Sequence, residues 1–187
     1  MSVHPDDFSA LVRARRTSML VDRDRQVPHD VVEWLCELAR WAPNHKRTWP
    51  WQFALVEGDG RQAMGEVIST AMARHGDTPE KVEAARTKYL RTPALLVVAS
   101  RSGDTDTRTA ENRDAVAAAI QTILLAATTR GLASYWASCP RGAGDDLARW
   151  CGFAPGSHIS AIIYLGWAAG EPATPSRPAI EVHIIDR

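Results

Sequence analysis

The stretch from Arg113 to Arg130 limits the possible folds of this chain more than any other segment. Its apolar residues, Val116, Ala117, Ala119, Ile120, Ile123, Leu124, Leu125 and Ala127, recur at helical spacing but spread well beyond one stripe. A surface helix hides a single face, so a helix that is apolar on several sides has to be packed on several sides. Gly131 follows where a helix commonly ends in a left-handed residue, a conformation glycine adopts without a Cβ clash. Whatever the fold, this helix belongs near its centre.

The other segments mix helices with strands. Phe8, Leu11 and Val12 predict a short helix from Pro5 to Arg15, with Arg13, Arg15 and Arg16 near its C-terminus, where cations suit the helix dipole. Val31, Trp34, Leu35 and Leu38 predict a second from about Pro28 to Trp41, stopped by Pro43. Trp51 to Glu57 reads as a strand, Gly58-Asp59-Gly60 as a turn, and Met64, Val67, Ile68 and Met72 as the apolar positions of a helix. A polar helix spans roughly Pro79 to Leu90, and the unbroken apolar run from Ala94 to Ala99 has the composition of a buried strand. Ser102 to Thr109 is polar and is expected to be loop. Beyond Gly131, strands at about Ala133 to Ala137 and Ser160 to Gly166 enclose a helix near Asp145 to Trp150. A proline-rich tail from Glu171 to Pro178 ends in the alternating Ile180, Val182 and Ile184. Strands mostly separated by helices predict an α/β or α+β class built on one sheet. At 187 residues without repeats or a linker, the expectation is a single domain over 1–187.

Charge narrows the partners. Lys plus Arg and Asp plus Glu both number 22, so no overall field draws the chain to nucleic acid or an anionic membrane. No apolar run approaches the roughly 20 residues a bilayer requires, and the N-terminus lacks the order of a signal peptide, so a cytoplasmic location is expected. Cys36, Cys139 and Cys151 show no CxxC spacing, and none of the six histidines pairs at one-turn spacing, so neither a disulfide framework nor a metal site is expected.

Four constellations have chemical potential. Arg15-Arg16-Thr17-Ser18 combines guanidinium forks, which match phosphate oxygens bidentately, with two hydroxyls. The same residues would equally make a solvated helix end followed by a turn. Trp41 to Trp51 crowds three tryptophans, His45, Lys46, Arg47 and two prolines between a helix and a strand, as a wall for a planar ring or as a packed staple. Gly58-Asp59-Gly60-Arg61-Gln62-Ala63 fits a dinucleotide fingerprint, but the only acidic candidate at suitable distance, Asp77, lies in a turn, so it reads as an ordinary turn. Tyr135-Trp136-Ala137-Ser138-Cys139-Pro140 leaves a strand end, where α/β folds place ligands; Cys139, with no histidine near in sequence, reads as a structural thiol. Arg177 adds a single cation in the stiff tail.

In this order and spacing the segments resemble the FMN-dependent nitroreductase family, particularly its small members of under 200 residues. The resemblance rests on Arg15-Arg16-Thr17, Ala42-Pro43-Asn44-His45-Lys46, Pro50-Trp51-Gln52-Phe53, the alanine-rich helix ending at Gly131, Trp136 to Ser138, and Tyr164-Leu165-Gly166. It implies a central, mainly antiparallel sheet flanked by helices, in a homodimer with FMN at the subunit interface and the long helix against its mate. It implies that Arg15, Arg16 and Thr17 hold the FMN phosphate and ribityl chain, with charge added by Arg177. Trp136, Ala137 and Ser138 would line the ring, and Trp41 and His45 would reach the partner's flavin. The implied reaction is ping-pong hydride transfer from NADH or NADPH to a small acceptor such as a nitroaromatic or quinone; the residues themselves add the expectation that Trp41 and Trp49 shape an aromatic acceptor pocket. Thr17 stands where the family usually has serine, and Trp41 and Ala137 where small members carry arginine. A flavin store or sensor without efficient turnover is the alternative.

Overall fold

Among the residues the structure describes, 3–186, the sheet is built around the apolar run singled out above. In this computed structural model Ala94–Ser100 is a strand with every residue buried. Numbered in chain order, the strands are β1 (Trp51–Glu57), β2 (Ala94–Ser100), β3 (Leu132–Ala137) and β4 (His158–Trp167). They pair in the order β1-β2-β4-β3, every neighbour antiparallel, with an irregularity between Val98 and Ala99. The helices are α1 (Pro5–Ala14), α2 (His29–Ala39), α3 (Gly60–Arg74), α4 (Pro79–Thr87), α5 (Asp106–Thr129) and α6 (Gly144–Trp150).

Successive side chains of a strand point to opposite faces, and both faces of the central pair are apolar. Leu96, Val98, Ala161, Ile163 and Leu165 pack with Leu35 of α2 and Ile120 and Ile123 of α5. Leu95, Val97, Ala99 and Ile162 pack on the other side with Met64 and Ile68 of α3, Ala85 of α4 and Leu147 of α6. A sheet covered on both faces explains why β2 reads as a continuous apolar run rather than an alternating one. The antiparallel partnership of β1 and β2 also disposes of the dinucleotide fingerprint, since a βαβ unit needs parallel neighbours.

The expected loop from Ser102 to Thr109 is correct only as far as Thr105. The side chain of Thr105 accepts a hydrogen bond from the Arg108 amide at 3.1 Å and caps α5, which begins at Asp106. This first turn is polar because it has nothing to bury, so hydrophobic periodicity does not report it. At the other end Gly131 takes φ 74°, as expected for a helix terminus. Nor is α5 enclosed all round by its own chain. Ala110, Asp114, Ala117 and Gln121 form an open flank, while Val116, Ala119, Ile120 and Ile123 are buried. The tail after β4 forms no strand among the described residues, leaving Ile180 and Ile184 89% and 86% exposed. None of the described helices is long and apolar enough to cross a membrane.

An exposed ion pair joins the start of α2 to the end of β1, His29 Nε2 to Glu57 Oε1 at 2.6 Å. The hydrogen bond and the charge of Glu57 raise the His29 pKa above its ordinary 6.5. A raised folded-state value means that the stabilisation is fully present below 6.5 and is lost as the pH climbs through the folded value. Melting curves of wild type and His29→Gln should therefore differ at pH values between the carboxylate range and 6.5, and converge under alkaline conditions. A constant difference across both ranges would show that the imidazole acts by packing alone.

Candidate functional site

Four guanidinium side chains converge on one cleft of about 450 Å³. It is lined by Arg13, Arg15, Arg16 and Arg177, with Val12, Gln121, Thr174 and Pro175. Among the described residues, no carboxylate lines it. Arg13 and Arg15 come from the end of α1, Gln121 from α5, and Thr174 to Arg177 from the tail, so the cleft joins segments remote in sequence. Arg16 is the most constrained: its guanidinium donates to the carbonyls of Arg13 and of Arg15, the latter at 3.1 Å, and to Thr174 Oγ1 at 3.4 Å. Its Nε is buried without a partner, a donor that the protein itself does not satisfy. Cations gathered with no counter-charge repel one another, and a doubly charged phosphate group would relieve that repulsion and take up the open donors.

Thr17 lies just beyond these arginines. It makes an isolated parallel bridge to Ser134, and the Ser18 amide donates to the Ser134 carbonyl at 3.0 Å. That bridge sets the arginine segment beside β3, two residues before Trp136. The indole of Trp136 donates to the Ser160 carbonyl at 3.1 Å, which fixes the ring against β4 while leaving it 39% exposed. Ala137 is half-buried and Ser138 exposed. The Arg15–Thr17 and Trp136–Ser138 segments, 119 positions apart at their nearest ends by number, are thus neighbours in space. Cys139 follows as a half-buried thiol, which burial pushes up to about 11, against a nucleophilic role near neutral pH.

Trp41 and His45 belong to a different part of the surface. Trp41 is 81% exposed at the end of α2. His45 Nδ1 meets Glu111 Oε1 of α5 at 2.8 Å. Glu111 also pairs with Arg108, and the His45 hydrogen bond, ahead of these charges, holds its carboxyl below the usual range. Pro43, His45, Glu111, Asp114, Ala115 and Ala118 surround a shallow hollow there. From Glu111 to Gln121 the helix advances roughly 15 Å, so the arginine cleft and His45 do not share one cavity within a chain.

The segment after His45 is strained. Lys46, Arg47 and Trp49 have φ of 61°, 52° and 49°, in the region where each non-glycine residue is disfavoured by about 1–2 kcal/mol. A side-chain network holds them there. Asn44 Nδ2 donates to Thr48 Oγ1 at 3.0 Å, Thr48 Oγ1 donates to Asn112 Oδ1 at 2.6 Å, and the Trp49 amide donates to Asn44 Oδ1 at 2.9 Å. Trp49 then meets the edge of Trp51, ring centroids 5.9 Å apart. Arg13, Gln121, Glu111 and Asn112 were not marked as site residues by the sequence. Arg13 looked like one more helix-end cation, and the three α5 residues carry no motif; only the packing of α5 brings them beside the arginine cleft and the His45–Trp49 segment.

A family model described as the nitroreductase family matches residues 12–167. A protein of Bacillus subtilis named Putative NAD(P)H nitroreductase YfhC is 26% identical over 175 residues, covering 91% of this chain and 89% of that protein. The crystal structure of a nitroreductase-like family protein from Bacillus cereus superposes with a TM-score of 0.77 at 25% identity, over 98% of both chains. A Bacteroides fragilis nitroreductase solved with bound FMN gives 0.72 at 22% identity, over 95% of this chain and 98% of that one. The shared fold is thus the same α+β arrangement of an antiparallel sheet between helices.

Proposed function

The chain belongs to the nitroreductase family, and on that premise we propose that it is an FMN-dependent oxidoreductase. In this reading it passes hydride from NADH or NADPH to a small nitroaromatic or quinone-like acceptor by a ping-pong sequence. The observation that carries the proposal is the arginine cleft: four arginines and, among the described residues, no lining carboxylate and no partner for the buried Arg16 Nε. A phosphate monoester fits that donor set in charge and in hydrogen-bonding capacity.

FMN, when bound, supplies the hydride-carrying chemistry, and the protein contributes binding, orientation and electrostatics. Arg15, Arg16 and Arg177, with Arg13 beside them, hold the phosphate. In this reading the Thr17 hydroxyl bonds the ribityl chain. Trp136, fixed by its indole hydrogen bond, lies with Ala137 and Ser138 along the ring. Trp41 and His45 face the flavin of a second subunit, a division supported by their separation from the arginine cleft. The open flank of α5, with Ala110 and Ala117, and the exposed Ile180, Val182 and Ile184 support a homodimer, since exposed apolar side chains gain by burial. Trp41 and Trp49 form the wall against which an aromatic acceptor stacks.

The test is direct. The purified protein should be yellow, release FMN on denaturation, and bleach rapidly when mixed anaerobically with NADH or NADPH. A colourless protein that FMN does not reconstitute would overturn the proposal. Stable yellow colour with no bleaching by either nucleotide would instead identify a flavin store or sensor.

A further inference from the structure

We propose that Thr48 and Asn112 are positioning residues that hold Trp49 in place and thereby set which acceptor the site takes. This rests on the reading of Trp49 as the acceptor wall. The polarity of the network has only one solution. Asn112 is 2% exposed, and its Nδ2 donates to the Arg101 carbonyl at 3.0 Å, an atom that accepts only. Its Oδ1 must therefore be the acceptor, so the Thr48 hydroxyl must donate to it at 2.6 Å. The lone pairs left on Thr48 Oγ1 accept from Asn44 Nδ2, which turns the Asn44 Oδ1 toward the Trp49 amide. A buried amide in α5 thus dictates, through two side chains, the placement of one backbone amide in a strained segment. The Arg101 amide donates in turn to the Pro50 carbonyl at 2.8 Å, so the exit of the same segment is tied to the same anchor.

Besides this network the segment is held by the His45–Glu111 pair at one end and by the contact of Trp49 with Trp51 at the other. His45, Lys46, Arg47 and Trp49 are all exposed, and Trp49 stays 55% accessible despite its apolar ring. The backbone alternates between left-handed Arg47 and Trp49 and right-handed Thr48, and Asn44 bonds both the Thr48 hydroxyl and the Trp49 amide. If the Thr48 hydroxyl is removed, the left-handed residues can relax and the indole loses its fixed position, while the arginine cleft is untouched.

Thr48→Val preserves the shape of the side chain and removes only the hydroxyl, and Thr48→Ser keeps the hydroxyl and serves as the rescue. In the holoenzyme, tryptic cleavage after Lys46 and Arg47 should be roughly tenfold faster in Thr48→Val, the change expected when a hydrogen bond of ordinary net strength is lost. The ratio of KM for 4-nitrobenzoate to KM for menadione should shift at least about threefold, the affinity for FMN should stay at the wild-type level, and Thr48→Ser should restore both changed quantities. Wild-type cleavage and an unchanged KM ratio in Thr48→Val would overturn the proposal. So would a loss of FMN affinity alongside the change in KM, which would mark a general structural role, or failure of the serine variant to restore the changed quantities. Cleavage rates need no flavin: a wild type without flavin chemistry would sink the functional reading, whereas unchanged cleavage would sink the clamp.

Discussion

Replacing Arg16 with alanine is expected to weaken FMN binding by roughly 10- to 100-fold, corresponding to the 1.5–3 kcal/mol or so of hydrogen bonds to a charged partner. Arg16 is singled out among the four arginines because its guanidinium is already tethered. Bonds to the Arg15 carbonyl and to Thr174 Oγ1 fix its plane, so little side-chain freedom remains to be lost on binding. Arg16→Lys should recover only part of the loss, because an ammonium keeps the charge but not the planar fork. Titration of the apoprotein with FMN, followed by flavin fluorescence, measures both variants. Arg130→Ala is the control, since that guanidinium lies 4.5 Å over the Trp34 ring and lines none of the arginine cleft. Equal affinity in Arg16→Ala and wild type would mean that the phosphate lies elsewhere.

Gly65→Ala should lower stability by roughly 3 kcal/mol, the upper part of the usual range for overpacking, and the melting temperature by roughly 6–12 °C. A Cβ on Gly65 would lie 2.2 Å from the Arg86 carbonyl oxygen and 3.0 Å from its carbon. Both are backbone atoms of α4, which no rotamer change can move. Nor can α3 withdraw freely, because Met64 and Ile68, both fully buried, press it against the sheet. Gly144→Ala is the counterpart: nothing lies within 4 Å of its added Cβ and its φ is not in the left-handed range, so the change should be neutral or slightly stabilising through a less flexible unfolded chain. Similar melting temperatures for the two variants would show that the α3–α4 contact yields more readily than its geometry implies.

Much of the architecture was legible from periodicity. Trp51–Glu57 and Ala94–Ser100 appeared as strands because their side chains, buried on one or both faces, had to be apolar at fixed intervals. Segments with no such requirement were less readable. The first turn of α5 faces solvent, so Asp106 to Thr109 read as loop, and Glu111 and Asn112, between that stretch and the periodic run from Arg113, carried no motif although one holds His45 and the other the Trp49 segment. The left-handed φ at Lys46, Arg47 and Trp49 was equally invisible, since none of these residues favours that conformation by itself. It exists because a partner from a distant helix supplies the compensating bonds.

The sequence by itself determined that helices cover a single sheet, that the alanine-rich helix lies close to it, and that arginines and hydroxyls stand ready at the end of the first helix. These follow from spacing and side-chain chemistry, which are local. Only the tertiary structure decided that Arg177 joins Arg13, Arg15 and Arg16 around one cleft, that Thr17 bridges to Ser134 and so sets the arginines beside Trp136, and that Gly65 admits no side chain. Each of these is a distance between residues far apart along the chain, fixed by how α1, α3, α4 and the tail pack against the sheet, and no local pattern encodes it.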